Sequence, residues 1–523
     1  MGTKKTIILA CLVLLVALGV RLYSLDTTAI NADEPRWQGR ICEFYDALAR
    51  GDLVATQVTS HPGVTTMWLG GLGKLLAGFP PGDFSNGEQL FWTIHKATVI
   101  PLAIVNSLVV LVLFLLLRKV WGEGEAFAAA VFLGLDPFHI AHSRVLHLDA
   151  LLSSFMLLSA VALLVFVKKK NYWYMVLSGV FASLALLTKQ TALYLVPFTF
   201  LVLGLEWVFH HRKFDYLWSH FAKPLFLWGV VIGLSYALFN PAFWGNPVHA
   251  LRNIYDYFKT DIYRSITTSH PGTAYYLGEV QPNEGVFYYP LVLLFKSTPF
   301  SFIFGTVGIF LTVRNILRKR IGADFYIFCY FLFFTLQMTM AFKNGDRYFL
   351  PALVSFDLLA GYALVKYLKN ITMIFAGKFK RFWAYGFVFL VLLFAHVFMY
   401  KQAGFHYLAM YNPLFGGAST AKKFIKLGWG EGLGEAARYL NSKPNAENLG
   451  VISFYDSAFA LAFIGNTYEF DAASLPVSDY FVFYIGQVQR HRDSQYLEKF
   501  FDPARAEYTV KLNGVSYVWV IKE

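Results

Sequence analysis

The sequence predicts a polytopic α-helical membrane protein with a small extracytoplasmic α/β domain at its C-terminal end. Of its 523 residues, 56% are hydrophobic and only 15% are charged, whereas about a quarter of a typical soluble domain is charged. About eleven apolar runs approach the roughly 20 residues that a bilayer requires. The net charge of +12 is explained by basic cytoplasmic loops rather than by a nucleic-acid partner.

The first apolar run follows Lys4 and Lys5 and continues to Tyr23. A secretory signal peptide has a similar pattern, but no small-residue cleavage site precedes the polar stretch, so we predict an uncleaved first span. The predicted spans are residues 6–23, 97–117, 126–141, 149–167, 173–188, 191–209, 223–240, 287–313, 323–342, 347–368 and 382–401.

Basic residues cluster in alternate connections between these spans. By the positive-inside rule this side is cytoplasmic. We therefore predict a protein of the cell membrane (plasma or inner membrane), with its N-terminus in the cytoplasm and its C-terminal domain on the outer side. The basic connections are Lys4 to Lys5, Arg118 to Lys119, Lys168 to Lys170, residues 211–213, Arg314 to Arg320 and residues 366–381.

The outer side receives two long loops, residues 24–96 and 240–289, and three short connections, residues 142–149, 188–190 and 342–348. The long loops are rich in Trp and Tyr, which favours helices that lie in the membrane interface. Together with the spans they form a predicted transmembrane domain over residues 1–401.

Residues 402–523 differ in character, since charges occur throughout and apolar runs shorten to strand length. We expect a helix near Gly434 to Leu440 and buried strands at 450–455 and 479–484. Asn513-Gly514 between two apolar runs predicts a β-hairpin.

Asp33 and Glu34 follow the first span directly, and two interpretations of this pair stay open. Before Pro35 they are suited to begin an interfacial helix. Alternatively, one carboxylate is a general base that takes a proton from an acceptor hydroxyl or amine, while the other holds the acceptor or a metal.

Five further groups lie on the same predicted side of the membrane, and cations there could bind a phosphate-bearing donor. Each could equally be a snorkelling side chain or a member of a structural ion pair. Lys189 is an exception to the rule that outer loops lack positive charge. The five are Arg144, His147, Lys189, Arg264 and Arg347.

His61 and His270 each begin a His-Pro-Gly triplet, which is typical of a turn. Together with His142, His147, Asp33 and Glu34 they could also supply metal ligands, but the sequence shows no tight ligand spacing. The sequence therefore identifies no cofactor and leaves a divalent cation open.

Several stretches together resemble glycosyltransferase family 39 within the C-type glycosyltransferase fold, a group that includes protein O-mannosyltransferases and the lipid A aminoarabinose transferase. Their order and sidedness carry the resemblance over roughly residues 1–440. They are the Asp33-Glu34 pair, Ser143 to Leu152, Leu186 to Gln190, Asp346 to Ala352, Tyr411 to Gly417 and Gly428 to Leu433.

This resemblance implies an enzyme that transfers a sugar from a polyprenyl-phosphate-linked donor by a single inverting displacement. It implies Asp33 as the base, with Glu34 beside it, and Arg144, Lys189 and Arg347 as phosphate contacts. Where family members often have Arg at the start of the second span, this chain has Lys96, which keeps the charge but loses the bidentate geometry.

Two other functions remain as alternatives, a flippase or transporter of lipid-linked sugars and a non-enzymatic membrane assembly protein. A transporter commonly shows inverted repeats and charges near the midplane, and the sequence shows neither pattern. The sequence leaves open the sugar and the acceptor, which could be a lipid, a glycan or a protein. We expect the C-terminal domain to affect acceptor choice.

Overall fold

The structure, a computed structural model, describes residues 2–25, 29–80, 88–210, 217–267, 274–374 and 378–523. Each predicted span coincides with one helix or with two consecutive helices. The helices of this part are α1 (Gly2–Leu22), α2 (Glu34–Ala49), α3 (Val64–Leu76), α4 (Glu88–Val120), α5 (Glu123–Gly134), α6 (Pro137–Ser143), α7 (Asp149–Lys169), α8 (Tyr172–Thr188), α9 (Leu195–His210), α10 (Lys223–Phe239), α11 (Ala242–Gly245), α12 (Pro247–Thr267), α13 (Tyr288–Lys296), α14 (Pro299–Leu317), α15 (Ala323–Thr339), α16 (Leu350–Ile374) and α17 (Lys378–Gln402).

Two of the predicted spans are each divided into two helices at a proline. The span predicted at 126–141 forms α5 and α6, with Pro137 in the first turn of α6. The span predicted at 287–313 forms α13 and α14, with Pro299 in the first turn of α14. Proline has no N–H with which to continue a preceding helix, so each proline begins a new helix. The spans were predicted from apolar content alone, which does not show such a boundary.

Seven segments of the described chain are long and apolar enough to cross a membrane, and three shorter helices are also apolar. The predicted number of about eleven spans stays a prediction. The seven segments are Lys4–Leu22, Leu90–Val120, Asp149–Lys169, Gln190–Phe209, Trp218–Phe239, Pro299–Leu317 and Asp346–Lys369.

Basic side chains from separate connections meet at one end of the helices. Lys5 lies 2.7 Å from the carboxylate of Glu123, and Lys369 lies 2.5 Å from Glu125. Lys168 at the end of α7 donates a hydrogen bond to the carbonyl of Val120 (2.6 Å). The opposite ends of α1, α7 and α16 lead into the loops that carry the remaining acidic and basic residues of interest.

The two long loops contain helices that pack against the bundle. The amphipathic helix α2 buries Trp37, and α3 begins after Gly63, whose φ is +59°. A side chain at Gly63 would also meet the Trp37 ring, so the first His-Pro-Gly turn requires glycine here. The second loop contains α11, α12 and a small antiparallel pair, β1 (Ala274–Tyr276) and β2 (Glu279–Gln281).

The C-terminal part forms a five-stranded sheet in the order β4-β3-β5-β7-β6. Strand β3 lies between β4 and β5 and is parallel to both, whereas β5 pairs antiparallel with β7 and β7 pairs antiparallel with β6. Asn513 and Gly514 both have positive φ angles and form the turn of the predicted hairpin. The strands are β3 (Gly450–Ser453), β4 (Asn466–Tyr468), β5 (Tyr480–Tyr484), β6 (Ala506–Leu512) and β7 (Val515–Lys522), and the helices are α18 (Gly417–Ala421), α19 (Leu433–Asn441), α20 (Asp456–Phe459), α21 (Ile485–Gln489) and α22 (Ser494–Phe500).

The segment between α17 and α19 connects this sheet to the outer loops. The Asn412 amide donates a hydrogen bond to the carbonyl of Phe295 (2.8 Å), and the Ala32 amide donates one to the carbonyl of Trp429 (2.9 Å). The segment therefore contacts both α13 and the chain before α2, and it brings Trp429 beside the beginning of α2.

Candidate active site

The carboxylate of Asp33 contacts charged side chains rather than the backbone amides of the helix that it precedes. Asp33 occupies the N-cap position of α2, but its side chain accepts no cap hydrogen bond. Its Oδ2 lies instead 3.2 Å from Nη2 of Arg347, and 26% of its side chain is exposed. The carboxylate therefore faces other side chains from distant parts of the chain and is open to an approaching molecule.

Asp149, the first residue of α7, is the buried centre of the cluster. Only 1% of its side chain is exposed, and its Oδ1 accepts a hydrogen bond from Nζ of Lys189 (2.7 Å). Its Oδ2 lies 3.5 Å from Nε of Arg347. Because a buried carboxylate needs compensating charge, the two cations hold Asp149 ionised, and Arg347 bridges it to Asp33.

His147 lies between the same two carboxylates. Its Nε2 is 3.6 Å from Oδ2 of Asp33, and its Nδ1 is 3.1 Å from Oδ2 of Asp149. Burial lowers the pKa of His147 below its ordinary value, although the charge of Asp149 opposes this. The imidazole is therefore neutral at neutral pH and contributes polar contacts without a net charge.

The charge state of Asp33 is set by two opposing effects. Burial raises its pKa, but the nearby positive charges, among which the guanidinium of Arg347 has the largest effect, together outweigh burial and hold the pKa of the carboxyl below its ordinary value. Asp33 is therefore ionised at neutral pH, which is the state that a general base requires.

A second ion pair lies next to this cluster. Nζ of Lys296 is 3.6 Å from Oδ2 of Asp346 and donates a hydrogen bond to the carbonyl of Leu408 (3.0 Å). Neither Lys296 nor the central position of Asp149 was predicted from the sequence. An ionisable residue inside or at the start of an apolar run is the signal that could have identified both.

Glu34 is separated from Asp33 in space. It is fully buried, and its Oε1 lies 2.5 Å from Nδ1 of His95, while the Asn31 amide approaches its other oxygen at 3.4 Å. Adjacent side chains at the beginning of a helix diverge, so Glu34 faces the interior and Asp33 faces the cluster. Of the two predicted carboxylates, Asp33 alone is placed to meet a substrate.

Arg144 makes its backbone hydrogen bonds outside this cluster. The Arg144 guanidinium donates hydrogen bonds to the carbonyl oxygens of Tyr23 and Ser24, both at 2.7 Å. It thereby holds the chain that leaves α1, which is a structural task. Lys96 is half-buried on α4, next to the residue that pairs with Glu34.

The first His-Pro-Gly turn packs against the connection that carries Lys189. The Gly63 amide donates a hydrogen bond to the carbonyl of Thr188 (3.0 Å), and the Gln190 side chain donates one to the carbonyl of Ser60 (2.7 Å). The structure thus brings the half-buried His61 close to the cluster. Arg264 is exposed near the end of α12, and His270 lies outside the described residues.

The described residues do not fit a metal site. Among them, no group of three or more His, Cys, Asp and Glu side chains is arranged to hold a metal ion. Asp33 and Asp149 both face cations, and Glu34 is paired with His95.

The apolar helices, the charged cluster in the loops and the small sheet domain are arranged as in solved membrane proteins with the C-type glycosyltransferase fold. ArnT from Cupriavidus metallidurans bound to undecaprenyl phosphate has a similar structure, with a TM-score of 0.50, 16% identity and coverage of 99% of this chain and 98% of that chain. The Archaeoglobus fulgidus oligosaccharyltransferase in the apo form is also similar (TM-score 0.51, 13% identity, coverage 93% and 70%). Archaeoglobus fulgidus AglB in complex with an inhibitory peptide and a dolichol-phosphate is similar as well, with a TM-score of 0.50, 12% identity and coverage of 93% of this chain and 70% of that chain.

At these identities the likeness concerns the fold, and it confirms the predicted fold class and multi-pass membrane architecture. In sequence, residues 87–236 match the family described as dolichyl-phosphate-mannose-protein mannosyltransferase. The matched range includes His147, Asp149 and Lys189, and it confirms the predicted resemblance to protein mannosyltransferases. Comparison with curated protein sequences finds no match.

Proposed function

We propose that the protein transfers a sugar from a polyprenyl-phosphate-linked donor to an acceptor at the outer face of the membrane. The observation that carries this proposal is the carboxylate of Asp33. It is partly exposed, makes no helix-cap hydrogen bond and lies 3.2 Å from Arg347. A base beside a cation is what this transfer needs, and solved structures with the same fold hold undecaprenyl phosphate and a dolichol-phosphate.

The reaction is an inverting displacement in which Asp33 is the general base. An acceptor hydroxyl or amine attacks the anomeric carbon and gives its proton to the Asp33 carboxylate. The bond between the anomeric carbon and the phosphate oxygen breaks, and the lipid phosphate leaves with the electron pair. One bond to the anomeric carbon forms on the face opposite the bond that breaks, so the configuration inverts.

Arg347 and Lys189 stabilise the leaving phosphate. A guanidinium has five N–H donors and an ammonium has three, so both groups can bind a phosphate oxygen while they contact Asp149. Phosphate binding also competes with Asp33 for the guanidinium. The proton affinity of Asp33 therefore rises when the donor is bound, which makes Asp33 a stronger base at that stage.

The proposed orientation has the N-terminus in the cytoplasm and the cluster outside, in the cell (plasma or inner) membrane. Two features support it, the basic end of the bundle formed around Glu123 and Glu125 and the location of the cluster at the opposite ends of the same helices. The outer loops and the domain at residues 402–523 then limit access of water, which disfavours hydrolysis of the donor. The acceptor arrives from the outer aqueous side or through the lipid, and we propose that this domain affects which acceptor is used.

The experiment that tests the proposal uses purified protein in nanodiscs with radiolabelled sugar on short-chain polyprenyl phosphates, in the presence and absence of EDTA. Label in a new glycoconjugate supports the transferase, and the EDTA arm determines whether a divalent cation takes part. Donor translocation across reconstituted vesicles without covalent transfer would instead favour the transporter.

The dependence of kcat/KM on pH reports the free enzyme and follows from the two lowered pKa values. Asp33 acts as a base above its pKa, which lies below the ordinary 3.8, and the pKa of His147 lies below its ordinary 6.5. We expect no decline of kcat/KM centred at pH 6.5 and a decline below pH 3.8, where Asp33 becomes protonated. A pH profile of transfer in nanodiscs checks this, and a decline centred near 6.5 would contradict it.

Glu34→Gln is expected to affect stability more than transfer. Removal of the charge weakens a buried pair with His95, which costs about 1–3 kcal/mol, whereas the contacts of Asp33 are kept. We expect a lower melting temperature in detergent and a kcat that changes by less than about threefold. If Glu34→Gln lost as much transfer as Asp33→Asn while its melting temperature stayed unchanged, Glu34 would have a direct role in catalysis.

A further inference from the structure

Trp429 covers the charged cluster from the side of the C-terminal domain. The guanidinium carbon of Arg347 lies 4.3 Å from the centre of the Trp429 ring, and the His147 ring packs edge-on against the same indole at 4.8 Å. A guanidinium stacked on an indole is held by the negative face of the ring. Trp429 therefore contacts Arg347 and His147, each of which lies close to both Asp33 and Asp149.

The loop of Trp429 is itself held by the sheet domain. The Trp429 amide donates a hydrogen bond to Oε2 of Glu431 (2.5 Å). The Gly430 amide donates one to the hydroxyl oxygen of Tyr484 (2.8 Å). The Tyr484 hydroxyl in turn donates to Oε2 of Glu431 (3.0 Å). Tyr484 is the last residue of β5, so the central part of the sheet fixes the backbone that carries the indole.

The same loop is fixed against the segment that precedes Asp33. The Trp429 carbonyl accepts a hydrogen bond from the Ala32 amide (2.9 Å). Gly430 has a φ of +125°, and a β-carbon there would collide with the carbonyl oxygen of Ile30. This close approach requires glycine and sets the distance between the indole and the Asp33 carboxylate.

We propose that Trp429 is a positioning residue for the transfer reaction, and this inference rests on the proposed function. The indole holds the guanidinium of Arg347 in the orientation that contacts Asp33 and Asp149 at once. An unsupported arginine side chain has several rotamers, and most of them would lose one of the two contacts. Through Tyr484 and Glu431, the sheet domain thus controls the geometry of the base and the cation in addition to its proposed effect on acceptor choice.

The test compares Trp429→Phe with Trp429→Leu in the nanodisc assay. Phenylalanine keeps an aromatic face for the guanidinium, whereas leucine keeps apolar bulk without one. We expect Trp429→Leu to lower kcat by about tenfold or more with little change in the KM for the donor, and Trp429→Phe to retain most of the activity. The acid-side decline of kcat/KM, which reports the free enzyme, should move to higher pH in Trp429→Leu, since Arg347 no longer holds down the pKa of Asp33. Trp429→Phe should restore the wild-type profile.

Tyr484→Phe provides a second variant that leaves the indole in place. It removes the hydroxyl that binds Glu431 and Gly430, and we expect it to reproduce the shift in pH profile with a smaller loss of kcat. Trp173→Leu is the matched control, because Trp173 is 61% exposed at the start of α8 and its replacement should leave transfer unchanged.

Three outcomes would overturn the positioning role: an unchanged kcat in Trp429→Leu, an equal loss in Trp429→Phe and Trp429→Leu, or a loss confined to the donor KM. Transfer by the wild-type protein is measured beside these variants. An inactive wild type would count against the proposed function, whereas an active wild type with an unaffected Trp429→Leu would overturn the positioning role alone.

Discussion

Replacement of Asp33 by Asn is expected to lower the rate of sugar transfer by about 10²- to 10⁴-fold, the usual contribution of a general base. Asparagine keeps the shape of the side chain but cannot accept the proton of the acceptor. The Asp33 side chain makes no cap hydrogen bond and is 26% exposed, so folding should be little affected. The measurement is kcat in nanodiscs together with the donor Kd and the melting temperature.

Asp52→Asn is a suitable control for this variant. Asp52 is exposed in the same outer loop, where its carboxylate accepts a hydrogen bond from the Ala55 amide, and its replacement should leave transfer unchanged. Retention of transfer by Asp33→Asn within about tenfold of the wild type would remove Asp33 from the role of base. A large loss of donor binding in this variant would indicate a binding role instead.

Asp149→Asn is expected to have the second large effect, on both stability and transfer. Asp149 is 1% exposed and lies within 2.7 to 3.5 Å of Lys189, His147 and Arg347. Removing one partner from a buried ion pair leaves uncompensated charge and costs about 3–5 kcal/mol. We expect a clear fall in melting temperature, and a loss of transfer because Arg347 and Lys189 lose the carboxylate that orients them.

The double variant Asp149→Asn with Lys189→Met separates these two effects. It removes one charge of each sign, so it should recover part of the lost stability without recovering transfer. Melting temperatures of the two single variants and the double variant form a cycle that measures the coupling of the pair. A wild-type melting temperature for Asp149→Asn, or additive effects in the cycle, would show that the pair is not the buried centre of the cluster.

The sequence by itself determined the architecture of this protein. Hydrophobic runs identified the helices of the bundle, and the Asn513-Gly514 pair identified the hairpin between β6 and β7. The sequence also predicted that Asp33, Lys189 and Arg347 lie on one side of the membrane, and the structure brings their side chains into one cluster. These are local signals, since a bilayer selects apolar segments of a given length and a two-residue turn selects its own residues.

Only the tertiary structure decided which of these polar residues act together. It placed Asp33 in the partly exposed cluster with Arg347 and its neighbour Glu34 in a buried pair with His95. It directed Arg144 to the backbone at the end of α1. It also brought Trp429 onto Arg347. Contacts between residues tens to hundreds of positions apart depend on how helices and loops pack, and hydropathy and spacing contain no information about that packing.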